Sequence, residues 1–185
     1  MSGARPALLI VTGPPASGKT SAARRLAEEL KLAVLSKDTF KETLYEQIGS
    51  DDELEPRIDK AALALLFAVA GMQLEAGVSL LVESNFDTHF DVDHFRRLRR
   101  DRDVELVQVH IGGDTERLVA KFAERARRGE RHPGHGDSPT DADELREKIE
   151  AGLWEPLEVP GRLVRADMDD AEEAIVERVR ATLQR

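Results

Sequence analysis

Val11-Thr12-Gly13-Pro14-Pro15-Ala16-Ser17-Gly18-Lys19-Thr20 is the stretch from which the rest of this chain is read. Its core has the form Gly-x-x-x-x-Gly-Lys-Thr, with an apolar run (Ala7–Thr12) before it and a helical pattern (Lys19–Leu30) after it. Glycines let the backbone wrap so that successive N–H groups point inward, and the helix that follows adds the partial positive charge of its N-terminus. A wrap of this kind suits the phosphates of a nucleotide. Lys19 would supply a point charge to the β and γ phosphates, and the Thr20 hydroxyl would coordinate Mg²⁺. A strand before and a helix after separate the motif from a chance glycine turn. The expected nucleotide contacts are Gly13, Ala16, Ser17, Gly18, Lys19, Thr20 and Ser21. The fate of the terminal phosphate is left open: it could pass to water or to the hydroxyl of another molecule.

Outward from this loop, short apolar runs alternate with helical periodicity. The runs Ala7–Thr12, Leu32–Ser36, Val78–Glu83, Val104–Ile111 and Arg162–Ala166 read as strands, most of them rich in Val, Leu or Ile. Helices are expected over Lys19–Leu30, Asp38–Gln47, Leu54–Glu75, Val92–Arg100, Thr115–Arg128, Asp141–Ala151 and Ala171–Leu183, with Asp170 capping the last. Alternation of nearly continuous apolar strands with helices predicts an α/β fold: a five-stranded parallel sheet with helices on both faces. At 185 residues the chain fits a single domain.

Ligands of an open parallel sheet bind along the carboxyl ends of its strands, so the residues that end each strand form the short list. Strand two runs into Ser36-Lys37-Asp38-Thr39-Phe40. Asp38 either orients an acceptor hydroxyl and takes its proton, or caps the helix that follows. Strand three ends in Val82-Glu83-Ser84-Asn85-Phe86, where Glu83 could order the water shell of a metal, or be solvated or paired with a lid arginine, and Asn85 could bond substrate or tie down the loop. His110, alternating with Val109 and Ile111 on strand four, reads as a structural histidine. Asp114 and Thr115 read as helix caps, and Trp154 as a core plug.

The fourth strand leads through a helix into Arg125-Ala126-Arg127-Arg128-Gly129-Glu130-Arg131-His132-Pro133-Gly134-His135. The formal net charge of the chain is −9, so four arginines this close together need a reason. Neutralising a migrating phosphoryl group is one; a solvated helix end balanced by Glu124 and Glu130 is the other. Gly, Pro and His continue to Pro139, predicting a lid over residues 125–139, with His132 and His135 shaping it or touching substrate.

The overall balance narrows the partners. An acidic chain does not attract a polyanion, which disfavours nucleic acid and anionic membrane surfaces. The 185 residues include no cysteine, which excludes disulfides, thiolate metal sites and a cysteine nucleophile. No apolar run approaches spanning length, and the expected location is cytoplasmic.

Taken together, "GPPASGKT", "LSKDTFKE", "LLVESNF" and "RARRGERHPGH" resemble the small P-loop phosphotransferases with a nucleoside-kinase-like fold. That group includes chloramphenicol phosphotransferase, the zeta toxins, the kinase domain of bacteriophage polynucleotide kinase and many uncharacterised AAA-type ATPase-like kinases. The resemblance runs from Leu8 to Val179. It implies a P-loop NTPase fold with a lid after strand four, ATP and Mg²⁺ as cofactors, and a small-molecule hydroxyl as acceptor. It implies Asp38 as general base, Lys19, Arg128 and Arg131 as catalytic cations on the phosphates with Arg125 nearby, and Thr20 and Glu83 at the metal. The acceptor would lie among helices within about residues 38–75 and the loop after strand three, with Phe40, Tyr45, Asn85 and Phe86 as candidate contacts. Where relatives carry an Asp-Thr-Thr-like stretch near the adenine, this chain reads Ala166-Asp167-Met168-Asp169-Asp170, so only Asp167 matches. A polynucleotide 5′-hydroxyl kinase and a toxin-like kinase of nucleotide sugars are variants of this reading. A nucleotide-hydrolysing switch or binding module is the alternative from another class, although no water-positioning glutamine is recognisable.

Overall fold

The computed structural model describes residues 5–49, 51, 53–100, 102–135 and 138–184. Met1–Ala4 at the polar start of the chain, Ser50 and Asp52 of the acidic link before the third helix, and Gly136 and Asp137 of the expected lid lie outside these described residues.

Five strands form one parallel sheet: β1 (Ala7–Thr12), β2 (Ala33–Ser36), β3 (Leu80–Glu83), β4 (Glu105–Gly112) and β5 (Arg162–Asp167), in the order β2-β3-β1-β4-β5. Among the described residues, seven α-helices connect and flank them: α1 (Lys19–Leu30), α2 (Lys37–Ile48), α3 (Glu55–Glu75), α4 (Val92–Arg100), α5 (Thr115–Arg128), α6 (Ala142–Glu150) and α7 (Glu172–Leu183). The α/β parallel architecture is as the sequence predicts, with element ends shifted by a residue or two.

The three central strands, β1, β3 and β4, are buried on both faces because they carry apolar residues at successive positions, while the edge strands β2 and β5 stay partly exposed. Leu8 and Ile10 of β1, with Leu80, Val82 and Leu106, pack against Leu66, Ala70 and Leu74 of α3 and Phe95 of α4. Leu9 and Val11 face the other way, with Leu81, Val107, Val109 and Val164, onto Ala22, Ala23 and Leu26 of α1 and Ile175, Val176 and Val179 of α7. Burial of this kind contributes about 25 cal/mol per Å² of apolar surface and is the main source of stability here. A third, smaller cluster joins Ala16 of the loop after β1 to Val119 and Phe122 of α5 and Leu145 of α6, with Trp154 packed beside it.

Two details of the frame matter for the site. β1 is central and pairs with both β3 and β4, so its carboxyl end opens between them. The register sets Val11 beside Glu83 and Glu83 beside Ser36, which brings three strand ends level on one rim. Asp114 caps α5 as expected, accepting from the Arg117 amide at 3.0 Å. Asp170 does not cap α7. Its carboxylate turns back to the Asp167 amide at 2.9 Å and to Arg178, and Ala171 stands at the N-cap. Among the described residues, no helix is long and apolar enough to cross a membrane.

Candidate active site

The loop between β1 and α1 has the backbone its glycines allow. Gly13 takes φ 146° and Gly18 φ 90°, regions that side chains disfavour. A Cβ at Gly13 would lie 2.1 Å from the Ile111 carbonyl oxygen, so only glycine lets the loop lean on the end of β4. Ala16 carries a positive φ of 65° at the turn, a strained backbone of the kind found at ligand clamps. Gly18 then stands at the N-cap of α1, whose first turn contains no acid to compete with an anion.

Lys19 lies across this loop, its Nζ donating to the Pro14 carbonyl at 3.2 Å. Removal from water pushes its pKa down to about 8, against the pull of Glu83 and Asp38, with Arg131 and Arg125 adding to the fall. The ammonium is therefore held where it is costly without an anion. Ser17, also in the loop, is buried with no partner for its hydroxyl.

Glu83 ends β3 and is only 2 % exposed. It accepts from Ser36 Oγ at 2.8 Å and from Thr20 Oγ1 at 3.2 Å. Ser36 is the N-cap of α2, yet its hydroxyl goes to Glu83 and makes no cap bond. Mg²⁺ needs few protein oxygens because it keeps much of its water shell. Thr20 and a buried carboxylate whose hydrogen-bond partners are hydroxyls fit that ion. Among the described residues no three His, Cys, Asp or Glu side chains cluster as a metal cage.

Asp38 lies in the first turn of α2 rather than at its cap. Its Oδ2 accepts from Arg131. Burial raises its pKa, but Arg131, then His135, Lys19 and Lys37 outweigh that and hold the carboxyl below its ordinary range.

Two cavities meet at Lys19 and Thr20. One, about 360 Å³, runs from Gly18 and Ser21 to Lys121, Arg125 and Arg128 of α5. The other, about 300 Å³, is lined by Asp38, Glu42, Asn85, Arg24, Arg131 and His132, and shares Lys19, Thr20, Arg125 and Glu130 with the first. Arg125 stands at both, with its guanidinium 5.5 Å from the centre of the Phe122 ring. Arg128 is held by Glu124 at 2.8 Å and Glu130 at 3.4 Å, and its side chain is 62 % exposed.

Three of the expected acceptor contacts lie elsewhere. Phe86 is fully buried, packed edge-on to Phe95 at 4.9 Å and near Phe67, because the chain turns inward after Glu83. Phe40 packs against the same core cluster. Tyr45 is taken up by His132, ring centres 5.3 Å apart, and by Gly134. Asn85 alone of the four lines the second cavity. Sequence reading missed Lys121, Arg24 and Glu42. Lys121 and Glu42 each stand one helical turn from an expected residue, Arg125 and Asp38, and Arg24 stands one turn beyond Thr20. His110 is structural: its Nε2 lies 2.8 Å from the Trp154 carbonyl, and burial lowers its pKa.

The family profile described as AAA domain (AAA_33) matches residues 8–149, which is most of the chain. The chain belongs to the AAA domain family. A candidate kinase from Chloroflexus aurantiacus J-10-fl is similar to this AAA domain over 97 % of its length and 100 % of the other chain, at 35 % identity and TM-score 0.86. A sugar kinase from Janibacter sp. HTCC2649 shares 22 % identity, covering 97 % and 95 % of the two chains at TM-score 0.65. The Mycobacterium tuberculosis APS kinase CysC, solved with AMPPNP and APS, shares 20 % identity, covering 98 % and 99 % at TM-score 0.62. The last two likenesses bear on fold alone, and the fold they share with the AAA domain is that of the P-loop NTPases. No curated protein matches the chain.

Proposed function

We propose that this AAA domain is an ATP-dependent phosphotransferase that moves the γ-phosphate to a hydroxyl of a small polar molecule. The observation that carries this reading is the junction of the two cavities. Lys19 and Thr20 face one cavity built from the phosphate loop and α5, and a second that contains the carboxylate of Asp38. A switch that hydrolyses its nucleotide has no need of the second cavity. The 35 % identical relative described as a candidate kinase supports the same class.

In this reading the loop residues Gly13, Ala16, Ser17, Gly18, Lys19, Thr20 and Ser21 hold the triphosphate, with Arg125 and Arg128 along it. Mg²⁺, held through Thr20 and Glu83, would neutralise charge on the β and γ phosphates. The acceptor oxygen forms a bond to the γ-phosphorus as the bond from that phosphorus to the β–γ bridging oxygen breaks, leaving ADP. Asp38 orients the hydroxyl and takes its proton, passing it on to water. Lys19 and Arg131 offset the negative charge on the transferring group, and such positioned cations supply much of the catalysis in phosphoryl transfer.

The second cavity also narrows the acceptor. Among the described residues no Phe, Tyr or Trp lines this cavity, and its one ring, His132, is already packed edge-on with Tyr45, so it offers a nucleobase little stacking surface. Acceptor-stimulated ADP formation tests the reading, with sugars, polyols and hydroxy acids offered one at a time alongside Mg²⁺ and ATP. At least one should raise turnover well above the idle rate, and Lys19→Ala should abolish the response. Turnover indifferent to every hydroxyl compound but raised by a protein partner would favour the switch.

A further inference from the structure

The segment after α5 is seated on one face of α2. Asp38, Glu42, Tyr45 and Glu46 recur at helical spacing on that face, and each meets residues 131–135. Arg131 donates to Asp38. His135, its side chain 6 % exposed, places Nε2 2.8 Å from Glu42 Oε1, and Arg131 Nη2 lies 3.3 Å from the same nitrogen. Tyr45 packs against His132, whose Nε2 is 3.6 Å from Glu46 Oε1. Gly134 is buried so closely that a Cβ there would come within 3.0 Å of the Tyr45 ring.

We propose that Glu42 is a positioning residue for transfer: through His135 it seats Arg131 against Asp38, so the acceptor half of the site assembles only when residues 131–135 dock on α2. This rests on the role given to Asp38 above. The physical case is one of linkage through contact. The Arg131–Asp38 pair is partly open to water, where an ion pair on its own contributes little to fixing two side chains. The nearly buried imidazole beside it donates Nε2–H to Glu42, so that nitrogen does not accept from Arg131; the fixed ring instead packs beside the guanidinium and limits where it can move. The Gly134–Tyr45 contact sets how near the segment approaches. Glu42 reaches no phosphate-loop residue by hydrogen bond in the described structure, so its influence falls on the acceptor side. Docking of this kind makes a two-part site directional: donor binding proceeds on the loop, and competence for transfer waits for the segment.

The test uses the full chain with Glu42→Ala, Glu42→Gln and Gly134→Ala. Three quantities are measured: amide hydrogen exchange over residues 131–135, affinity for a non-hydrolysable ATP analogue, and kcat and KM for transfer to the best acceptor. Glu42→Ala should speed exchange in the segment at least tenfold, lower kcat roughly ten- to a hundredfold, raise acceptor KM, and leave analogue affinity within threefold. Glu42→Gln, which still accepts from His135, should recover most of the loss, and Gly134→Ala should reproduce it with Glu42 intact. Unchanged exchange or unchanged kcat in Glu42→Ala, with the wild type transferring normally, would overturn the positioning role alone. No transfer by the wild type to any hydroxyl would overturn the phosphotransferase reading, and the positioning role with it.

Discussion

Lys19 is held between opposing demands: burial drives its pKa down to about 8, while Glu83 and Asp38 pull it back up. A triphosphate placed against the ammonium would favour its charged form, so binding should raise that pKa. The sign follows. Below about pH 8 the free protein already carries the charge and affinity is level; above it the charge must be restored on binding, and affinity falls by up to about tenfold per pH unit. Calorimetric titration with an ATP analogue from about pH 7 to about pH 9.5, spanning that midpoint, checks this, and a level affinity across the range would contradict it. Glu83 poses a different question at the same scale. Glu83→Gln keeps the shape but removes the charge that faces Thr20, so half-saturation by Mg²⁺ in a turnover or binding assay should rise several-fold. An unchanged requirement would place the ion elsewhere.

At the scale of elements, the glycine loop and α2 show what a sequence can and cannot disclose. The loop was legible because its chemistry resides in backbone amides, and glycines at fixed spacing mark where the backbone must bend. Gly13→Ala should therefore cost several kcal/mol, since the new Cβ would lie 2.1 Å from a carbonyl oxygen at φ 146°. A fall in Tm of about 6 °C or more is expected from a loss of roughly 3 kcal/mol, and a fall of under about 2 °C would contradict the fit. Asp38 was legible as a strand-end acid, but not its partner, because the Arg131 contact joins residues 93 positions apart. Glu42 and Glu46 gave no signal: in sequence they look like any solvated acids on a helix, and only the docked segment sets them apart. Phe86 misled because strand alternation stops at Glu83 and carries no information on which way the next residues turn. Asp170 misled for the converse reason, as a residue type suited to capping found better partners in the Asp167 amide and Arg178.

The whole molecule ties the site to its core through β3 and the turn after it. Glu83 faces the phosphate loop, and three residues on Phe86 is locked between Phe67 and Phe95. Phe86→Ala should cost about 3–5 kcal/mol, lowering Tm by roughly 6–20 °C, with acceptor KM little changed in the protein that remains folded. A stable variant with a raised KM would return Phe86 to the acceptor pocket. The parallel sheet gathers residues from Gly13 to Arg131 on one rim, and the proposed division into donor and acceptor halves rests on that gathering. The most direct test follows label from [γ-³²P]ATP into an acid-stable phosphomonoester of an acceptor, in single turnover, for wild type and Asp38→Ala. The wild type should form the labelled ester. Asp38→Ala should form it about 10²- to 10⁴-fold more slowly while binding the nucleotide within threefold of normal. Label appearing only as inorganic phosphate, or ester formed by Asp38→Ala at the wild-type rate, would contradict the account.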